Sequence, residues 1–305
     1  MRFAEIIPYP GEIAAFFAAI CWTVTAISFE FAGKRVGSLA VNILRLILAL
    51  VFFSIYGVLF RGVIIPTDAS THIWTWMAIS GLVGFCIGDL CLFKAFVVVG
   101  SRVSMLIMSV VPPLTALIGW WFLGEQLGVF ALIGMALTVG GIIVVVNKRH
   151  NDAGRLHKKD TETIYKGVLY AIGGAIGQAV GLVISKYGMQ DFDAVAATHI
   201  RVIAGTIGFA FIFTFSRQWP LVSRAIKNRI ALLGVLSGSI FGPFLGVTFS
   251  LLAVQNTETG IASTIMAIVP VLIIPPAVIF FKEKLTVIEV VGAIVTVFGV
   301  SLLFL

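Results

Sequence analysis

The sequence predicts an all-α, polytopic membrane protein with ten transmembrane helices arranged as two inverted five-helix repeats. Two observations carry this prediction. Hydrophobic residues make up 59% of the 305 residues and charged residues 11%, and apolar runs of about 20 residues, long enough to cross a bilayer as helices, recur along the chain. In addition, residues 81–147 align without a gap with residues 239–305, at an offset of 158.

The apolar runs place ten spans, which short polar breaks separate. Their bounds are 12–32, 38–60, 73–97, 102–122, 127–146, 165–185, 194–215, 229–254, 260–281 and 286–304. The runs are rich in Leu, Ile and Gly and lack the alternation of barrel strands, which excludes a porin-like barrel. Residues 12–146 therefore form the first repeat, 147–164 a basic linker without an apolar face, and 165–305 the second repeat.

The alignment pairs the residues that shape helices. The pairs include Gly84/Gly242, Gly88/Gly246, Met108/Met266, Pro112/Pro270, Glu125/Glu283, Leu127/Leu285, Gly134/Gly292 and Gly141/Gly299. Because each repeat has an odd number of spans, the second must enter the membrane inverted relative to the first. Repeats of this kind in an apolar chain are typical of secondary transporters, whose substrate site lies where the halves meet.

Lysines and arginines are concentrated in the breaks that follow the odd-numbered spans. Among the loop residues, the opposite side carries only Arg2, Arg61 and Lys186. Because basic loops stay in the cytoplasm, we expect a plasma (inner) membrane protein with its linker inside and both termini outside. The net charge of +7 thus indicates membrane orientation rather than binding to nucleic acid.

Two stretches share a Pro-bearing helix, a Glu in a very short turn and a Gly-spaced helix. They are IMSVVPPLTALIGWWFLGEQLGVFALIGMALTVGGIIVV and its echo IMAIVPVLIIPPAVIFFKEKLTVIEVVGAIVTVFGVSLLF. Both resemble the EamA module of the drug/metabolite transporter (DMT) superfamily, and with two modules the resemblance covers essentially the whole chain. It implies ten helices, a central cavity between the halves and alternating access. Eukaryotic relatives are drawn with cytoplasmic termini, opposite to the orientation that the charges predict here.

Asp89 lies well inside span 3, where a charge costs several kcal/mol unless it is paired, hydrated or protonated. Arg45 in span 2 lies at a comparable depth from the same side, as does Glu30 near the end of span 1. We therefore expect an Asp89–Arg45 pair with Lys94 or Glu30 nearby. Two interpretations stay open: a carboxylate that binds protons or substrate, and a structural ion pair between spans 2 and 3.

On the opposite side of the membrane, Arg201 in span 7 lies at a depth that Glu258 could reach. His199, Gln255 and Asn256 are near the same level. Each repeat would then carry an Arg-centred cluster on its own side of the bilayer. Such clusters would act either as alternate gates or as satisfied ion pairs.

Other polar residues are sparse inside the spans. Trp22 in span 1 and Gln178 in span 6 are among them, and Phe85 and Phe93 flank Asp89 at helical spacing. An aromatic wall with a few hydrogen-bonding groups suits a cavity for a small amphipathic metabolite. Ordinary core and lipid contacts are the alternative interpretation of these residues.

Pro112 and Pro270 occupy equivalent places in spans 4 and 9. A proline inside a helix lacks an N–H and disturbs the carbonyl four residues earlier, here those of Met108 and Met266. In hydrocarbon, such carbonyls need partners in packed protein or in a hydrated cavity. We expect both helices either to bend and line the pathway as hinges, or to carry static kinks.

Two further motifs indicate structural roles. Glu125 and Glu283 lie in the turns before spans 5 and 10, where a carboxylate caps free N–H groups. Glycines at near-helical spacing indicate close helix packing in lipid. They are Gly84, Gly88, Gly134, Gly141, Gly173, Gly177, Gly181, Gly242, Gly246, Gly292 and Gly299.

These features predict a secondary transporter that exports a small organic metabolite or amino-acid-like solute by alternating access through a cavity between the repeats. The alternatives are a lipid or polyprenyl-carrier flippase and a non-transporting membrane scaffold. The expected partners are the solute, the lipid bilayer and protons as the coupling ion, and a homodimer stays open. No catalytic arrangement, metal-ligand cluster, cofactor motif or ATPase motif is recognisable in the sequence.

Overall fold

The computed structural model describes residues 9–123, 128–154, 158–256, 265–281 and 286–302. In these residues seven helices are long and apolar enough to cross a membrane, and three shorter apolar helices accompany them. The part of the chain described here contains no β-strand. The predicted fold class is confirmed: the protein is all-α and polytopic, with ten transmembrane helices in two inverted five-helix repeats.

Most helix bounds lie within a few residues of the predicted spans. The first repeat comprises α1 (Pro10–Val36), α2 (Ser38–Tyr56, then Gly57–Arg61), α3 (Thr71–Gly81, Leu82–Gly88, Asp89–Val98), α4 (Ser101–Met108, Val111–Leu123) and α5 (Val129–Gly154). The second comprises α6 (Lys158–Met189), α7 (Ala194–Phe215), α8 (Arg229–Ser239, Ile240–Gly246, Val247–Asn256), α9 (Val269–Leu272, Ile274–Phe281) and α10 (Val287–Leu302).

The basic linker is more helical than its polar composition suggests. Helix α5 continues to Gly154 and α6 begins at Lys158. Lys and Arg are good helix formers, and an ion pair of 2.6 Å one turn apart, between Lys166 and Glu162, supports the first turns of α6. Helix propensity and this ion pair therefore favour helix in the linker, which extends α5 at its end and α6 at its start although the linker has no apolar face.

A short helix between α7 and α8, Trp219–Lys227, was not predicted from the sequence. It buries Val222 and Ala225 and exposes Trp219 and Ile226. Its apolar residues recur at helical spacing, and Pro220 stands in its first turn, where proline is tolerated. These signals are present in the sequence but are too short for a transmembrane span.

Helices α3 and α8 each contain a π-helical segment at the same place in the repeat. The segments are Leu82–Gly88 and Ile240–Gly246, so an offset of 158 relates them. A π-helical segment is rare, and it often marks a functional position inside an α-helix. The first segment leads directly into Asp89, whereas the second leads into the apolar Val247.

The expected interruptions of α4 and α9 are present. Helix α4 breaks at residues 109–110, and the equivalent turn at 267–268, again at an offset of 158, separates the helical residues 265–266 from α9. At both breaks the backbone bonds run to the third residue back: Val110 N donates to Ile107 O at 3.0 Å and Ile268 N to Ile265 O at 3.2 Å. Each break lies just before a proline, which cannot donate the next backbone bond. Whether these breaks move as hinges stays a prediction.

Helices α5 and α10 pack across the pseudo-two-fold axis through equivalent residues. A Cβ added to Gly141 would lie 2.5 Å from Thr296 Oγ1 and 2.9 Å from Gly292 O. Conversely, a Cβ added to Gly299 would lie 2.6 Å from Thr138 N. Thr138 also donates to the carbonyl of Thr296, its own equivalent, at 3.5 Å. The axis therefore passes between α5 and α10, and the predicted packing role of these glycines is confirmed.

Glycine pairs also join α3 of the first repeat to α6 of the second. A Cβ on Gly177 would lie 2.5 Å from the Cα of Gly88, and one on Gly181 would lie 3.1 Å from the Cα of Gly84. The equivalent Gly242 of α8 packs on α1. Small residues allow such close backbone approach where lipid offers no hydrophobic drive to associate.

A buried ion pair links α4 to α10. Arg102 Nη2 lies 3.3 Å from Glu289 Oε1, and both side chains are buried. Glu289 also accepts from the backbone N–H of Thr286 at 3.0 Å, and the N–H of Glu289 in turn donates to Thr286 Oγ1 at 3.4 Å. This Thr-x-x-Glu capping box starts α10. Sequence reasoning did not anticipate this ion pair, although the capping motif was visible.

Adding a methyl group at Gly141 should destabilise the protein. Gly141→Ala would press on the backbone of α10, and overpacking of this kind costs about 1–3 kcal/mol. The matched control is Gly140→Ala, since a Cβ on Gly140 has no atom within 4 Å. Thermal unfolding of the detergent-purified variants measures the difference. Equal melting temperatures for the two variants would contradict the packing of α5 on α10.

Glu289→Gln should remove the ion pair with Arg102 but keep the helix cap, so that the contribution of the ion pair is measured alone. Gln still serves at this position of a capping box, but the carboxylate that contacts buried Arg102 is lost, at a cost of about 3 kcal/mol. Glu162→Gln makes the same change in an exposed pair and should leave the melting temperature unchanged. A wild-type melting temperature for Glu289→Gln would show that the α4–α10 ion pair does not hold the helices together.

Candidate functional site

The centre of the candidate site is Asp89, the first residue after the π-helical segment of α3 and only 4% exposed. Its Oδ2 forms an ion pair with Arg45 Nη2 of α2, so the expected pair is present. Gln178 Nε2 of α6 donates to the other carboxylate oxygen at 2.6 Å. Both oxygens of Asp89 thus have a donor, and three helices from two repeats meet at this carboxylate.

Asn42 completes this network, and sequence reasoning missed it. Its Oδ1 accepts from Arg45 Nε at 3.1 Å, and its Nδ2 donates to the backbone carbonyl of Asp89 at 3.1 Å. Asn42 precedes Arg45 by three residues and therefore lies on the same face of α2. That spacing was the available signal. The amide fixes the orientation of the guanidinium toward Asp89.

Aromatic rings enclose the two guanidinium groups. The Cζ of Arg45 lies 4.6 Å from the ring centroid of Phe93 and 5.7 Å from that of Phe85. The Cζ of Arg201 lies 4.7 Å from the Phe85 centroid. Phe85 therefore contacts both cations, and its electron-rich face favours them where water is excluded.

The guanidinium of Arg201 lies over the ring of Phe85 in α3. The backbone of α7 at Arg201 packs so closely on Gly81 that a Cβ would not fit there. The second Arg-centred cluster, with Glu258 as its carboxylate, stays a prediction. Residue counting locates the Cα of an arginine but not the end of its long side chain. Glu258 lies outside the described residues, and Asn256 Nδ2 donates to its own helix, to Leu252 O.

Arg201 is 4% exposed, and its Nε has no hydrogen-bond partner among the described residues. A Cβ placed on Gly84 would lie 3.3 Å from Arg201 Nη2 and 4.0 Å from Gln178 Oε1. A side chain at Gly84 would therefore crowd the guanidinium, so this glycine allows Arg201 to pack closely against α3 beside the Asp89 network.

Three of the predicted site residues lie apart from the Asp89 network. Trp22 Nε1 donates to Ser250 Oγ at 3.1 Å, which joins α1 to α8. His199 stacks on Phe53 with centroids 5.6 Å apart. It lies two residues from Arg201 and so on another face of α7. Lys94 is exposed on α3.

Glu30 caps a helix instead of joining Asp89. Its Oε2 accepts from the backbone N–H of Ser101 at 2.5 Å, at the start of α4, and its Oε1 pairs with Lys34. A carboxylate at this helix end binds free N–H groups and the positive end of the helix dipole. The predicted caps Glu125 and Glu283 lie outside the described residues.

The residues around the two helix breaks pack in different apolar clusters. Met108 packs against the core cluster that contains Phe29, Phe85 and Phe93. Met266 packs against a separate small cluster around Ala14. Pro112 is half-buried and Pro270 buried. Among the described residues, no group of three or more His, Cys, Asp or Glu side chains could hold a metal ion.

Comparisons with known proteins agree with this architecture. The model of the EamA-like transporter family matches residues 9–147 and 165–305. A protein of Archaeoglobus fulgidus described as an uncharacterized transporter is 24% identical over 292 residues, which cover 94% of this chain and 95% of that protein. A solved crystal structure that is 17% identical matches 96% of this chain and 95% of its own, with a TM-score of 0.63, and so has the same fold. The chain therefore belongs to the EamA-like transporter family and is a multi-pass membrane protein.

Proposed function

We propose that the protein is a secondary transporter that exports a small organic solute across the plasma (inner) membrane by alternating access. The observation that carries the proposal is the composition of the buried polar network. Asp89 and Arg45 come from the first repeat, whereas Gln178 and Arg201 come from the second. A substrate site built from both inverted repeats, deep inside the bilayer, is the arrangement expected of such transporters.

Alternating access requires some contacts between the two repeats to break and re-form, and the structure contains such contacts. The bond from Gln178 to Asp89 and the Arg102–Glu289 pair both join the first repeat to the second. If one repeat rotates against the other, some of these contacts lengthen. The close glycine packing of α5 on α10 would stay in place and serve as the pivot. The breaks in α4 and α9 are suitable positions for the bending that this motion needs.

Coupling to protons is part of the proposal, with Asp89 as the group that takes up the proton. A buried carboxylate that exchanges between an arginine partner and a proton changes the charge of the network by one. Carboxylates at this depth are the usual proton-carrying groups of membrane transporters. Protonation of Asp89 would release Arg45 and so weaken the link between α2 and α3.

Asp89→Asn should abolish the pH dependence of solute flux. Asn keeps the shape of the side chain but cannot bind a proton, so the ion pair with Arg45 is lost at every pH. Counterflow of amino acids and small organic acids in proteoliposomes, measured over a range of pH values, tests this. The matched control is Asp68→Asn, which changes an exposed carboxylate paired with Arg61. Unchanged pH dependence in folded Asp89→Asn protein would eliminate this coupling role.

The same proteoliposomes distinguish the proposal from its alternatives. Flux of a water-soluble solute supports the transporter. Scrambling of a labelled lipid without solute flux would instead indicate a flippase. The absence of both activities in folded protein would indicate a scaffold.

The charge distribution also predicts the orientation of the chain. A reporter fused after Leu305 should be non-cytoplasmic, so that alkaline phosphatase is active there and green fluorescent protein is dark. The same reporters fused at residue 155, in the basic linker, should give the opposite result. A fluorescent fusion after Leu305 would reverse the orientation.

A further inference from the structure

The short helix Trp219–Lys227, between α7 and α8, is only partly covered by the rest of the protein. Its Val222 and Ala225 belong to the buried core cluster, so this face packs on the transmembrane helices. Trp219 and Ile226 are seven residues apart and therefore lie on one edge of the helix, where they remain 43% and 51% exposed. Burial of this edge in an apolar environment is favourable.

The exposed edge continues the apolar surface of the two helices that the short helix connects. Phe211 and Phe215 at the end of α7 are exposed, as are Ile230 and Leu233 at the start of α8. Large apolar side chains on the outside of membrane-spanning helices contact lipid. Trp219 lies where these helices leave the membrane, at the boundary between hydrocarbon and headgroups where tryptophan is enriched.

The remaining face of the short helix and its flanks are strongly basic. Arg224 and Lys227 lie in its last turn, Arg217 precedes it and Arg229 follows it, and all four side chains are exposed. The sequence has no Asp or Glu at positions 194–257. A cationic face next to an apolar edge is typical of helices that lie in the membrane surface, with their apolar side chains at the acyl boundary.

The bilayer is the partner that reaches both of these surfaces. Acyl chains can cover Trp219 and Ile226, and negatively charged headgroups can neutralise Arg224 and Lys227. A water-soluble acidic partner would match the cations but not the apolar edge that continues into the lipid-facing surface. Each cation near an anionic membrane surface strengthens binding about fivefold.

We propose that the short helix Trp219–Lys227 and its flanking arginines bind anionic phospholipids of the adjacent leaflet. Arg224 and Lys227 donate to the lipid phosphates in charge-assisted hydrogen bonds, while Trp219 and Ile226 contact the upper part of the acyl chains. The interaction goes beyond the transporter function proposed above and does not depend on it.

Fluorescence quenching by lipids tests the proposal on the full-length protein. A fluorophore is attached to the Ile226→Cys variant in a Cys91→Ala background, since the other two native cysteines are buried. The protein is reconstituted in vesicles of phosphatidylglycerol and phosphatidylcholine, one of which is spin-labelled on its acyl chain. We expect phosphatidylglycerol to be preferred at position 226 about fivefold or more. The same fluorophore on Ile207→Cys, exposed in the middle of α7, is the reference and should show no preference.

Charge variants assign this preference to the two cations of the short helix. The double variant Arg224→Gln/Lys227→Gln should lower the preference at the labelled site to that of the reference position. The double variant Arg224→Lys/Lys227→Arg keeps both charges and should retain it. Both residues are exposed, so the variants should keep the wild-type melting temperature. The matched control, Arg61→Gln/Lys186→Gln, removes two cations from the opposite side of the membrane and should leave the preference unchanged.

The proposal is overturned if both lipids quench the fluorophore at position 226 equally, or if the preference survives Arg224→Gln/Lys227→Gln. It is also overturned if neither lipid quenches this fluorophore. Quenching by a water-soluble nitroxide would then show that the helix edge faces water. Protection from that nitroxide as well would show that a second copy of the chain or another protein covers the edge.

Discussion

A charge buried inside a membrane protein must find its partner within the protein, and Asp89 is where this constraint acts most strongly. Its carboxylate forms an ion pair with Arg45 of α2 and accepts a hydrogen bond from Gln178 of α6. Its backbone carbonyl accepts a hydrogen bond from Asn42. The network thereby holds helices of both repeats at one point. Because lipid cannot solvate these groups, the helices that carry them must stay together or exchange their partners. That condition links the stability of the fold to any movement between the repeats.

The two repeats share their scaffold and differ in their charges. Glycine contacts, π-helical segments and helix breaks all recur at the offset of 158. At the ion pairs the symmetry fails, since Asp89 corresponds to Val247, and neither partner of the Arg102–Glu289 pair recurs as a charged residue. Close packing of α5 on α10 places equivalent residues of the two repeats against each other, so both repeats need small residues at these positions. A solute without two-fold symmetry requires an asymmetric site.

Much of the site could be predicted from the sequence because its residues are expensive to bury. Asp89 and Arg45 stood out as charges at matching depths, and their ion pair is present. Asn42 was missed, since a neutral amide near a helix end carries little cost. Glu30 was expected, as an alternative to Lys94, near the Asp89–Arg45 pair, but the fold brings it to the start of α4, where the N–H of Ser101 lies 2.5 Å away.

The sequence alone determined the class of fold, the number of helices, the two-fold repeat and the positions of the helix breaks. These follow from local properties: the length of apolar runs, the missing N–H of proline and the small size of glycine. Only the tertiary structure decided which charges meet. The guanidinium of Arg201 lies over Phe85 of α3, one helical turn before Asp89, and the backbone of α7 there packs closely on Gly81. Side-chain direction depends on how helices rotate against each other, and no spacing along one chain contains that information.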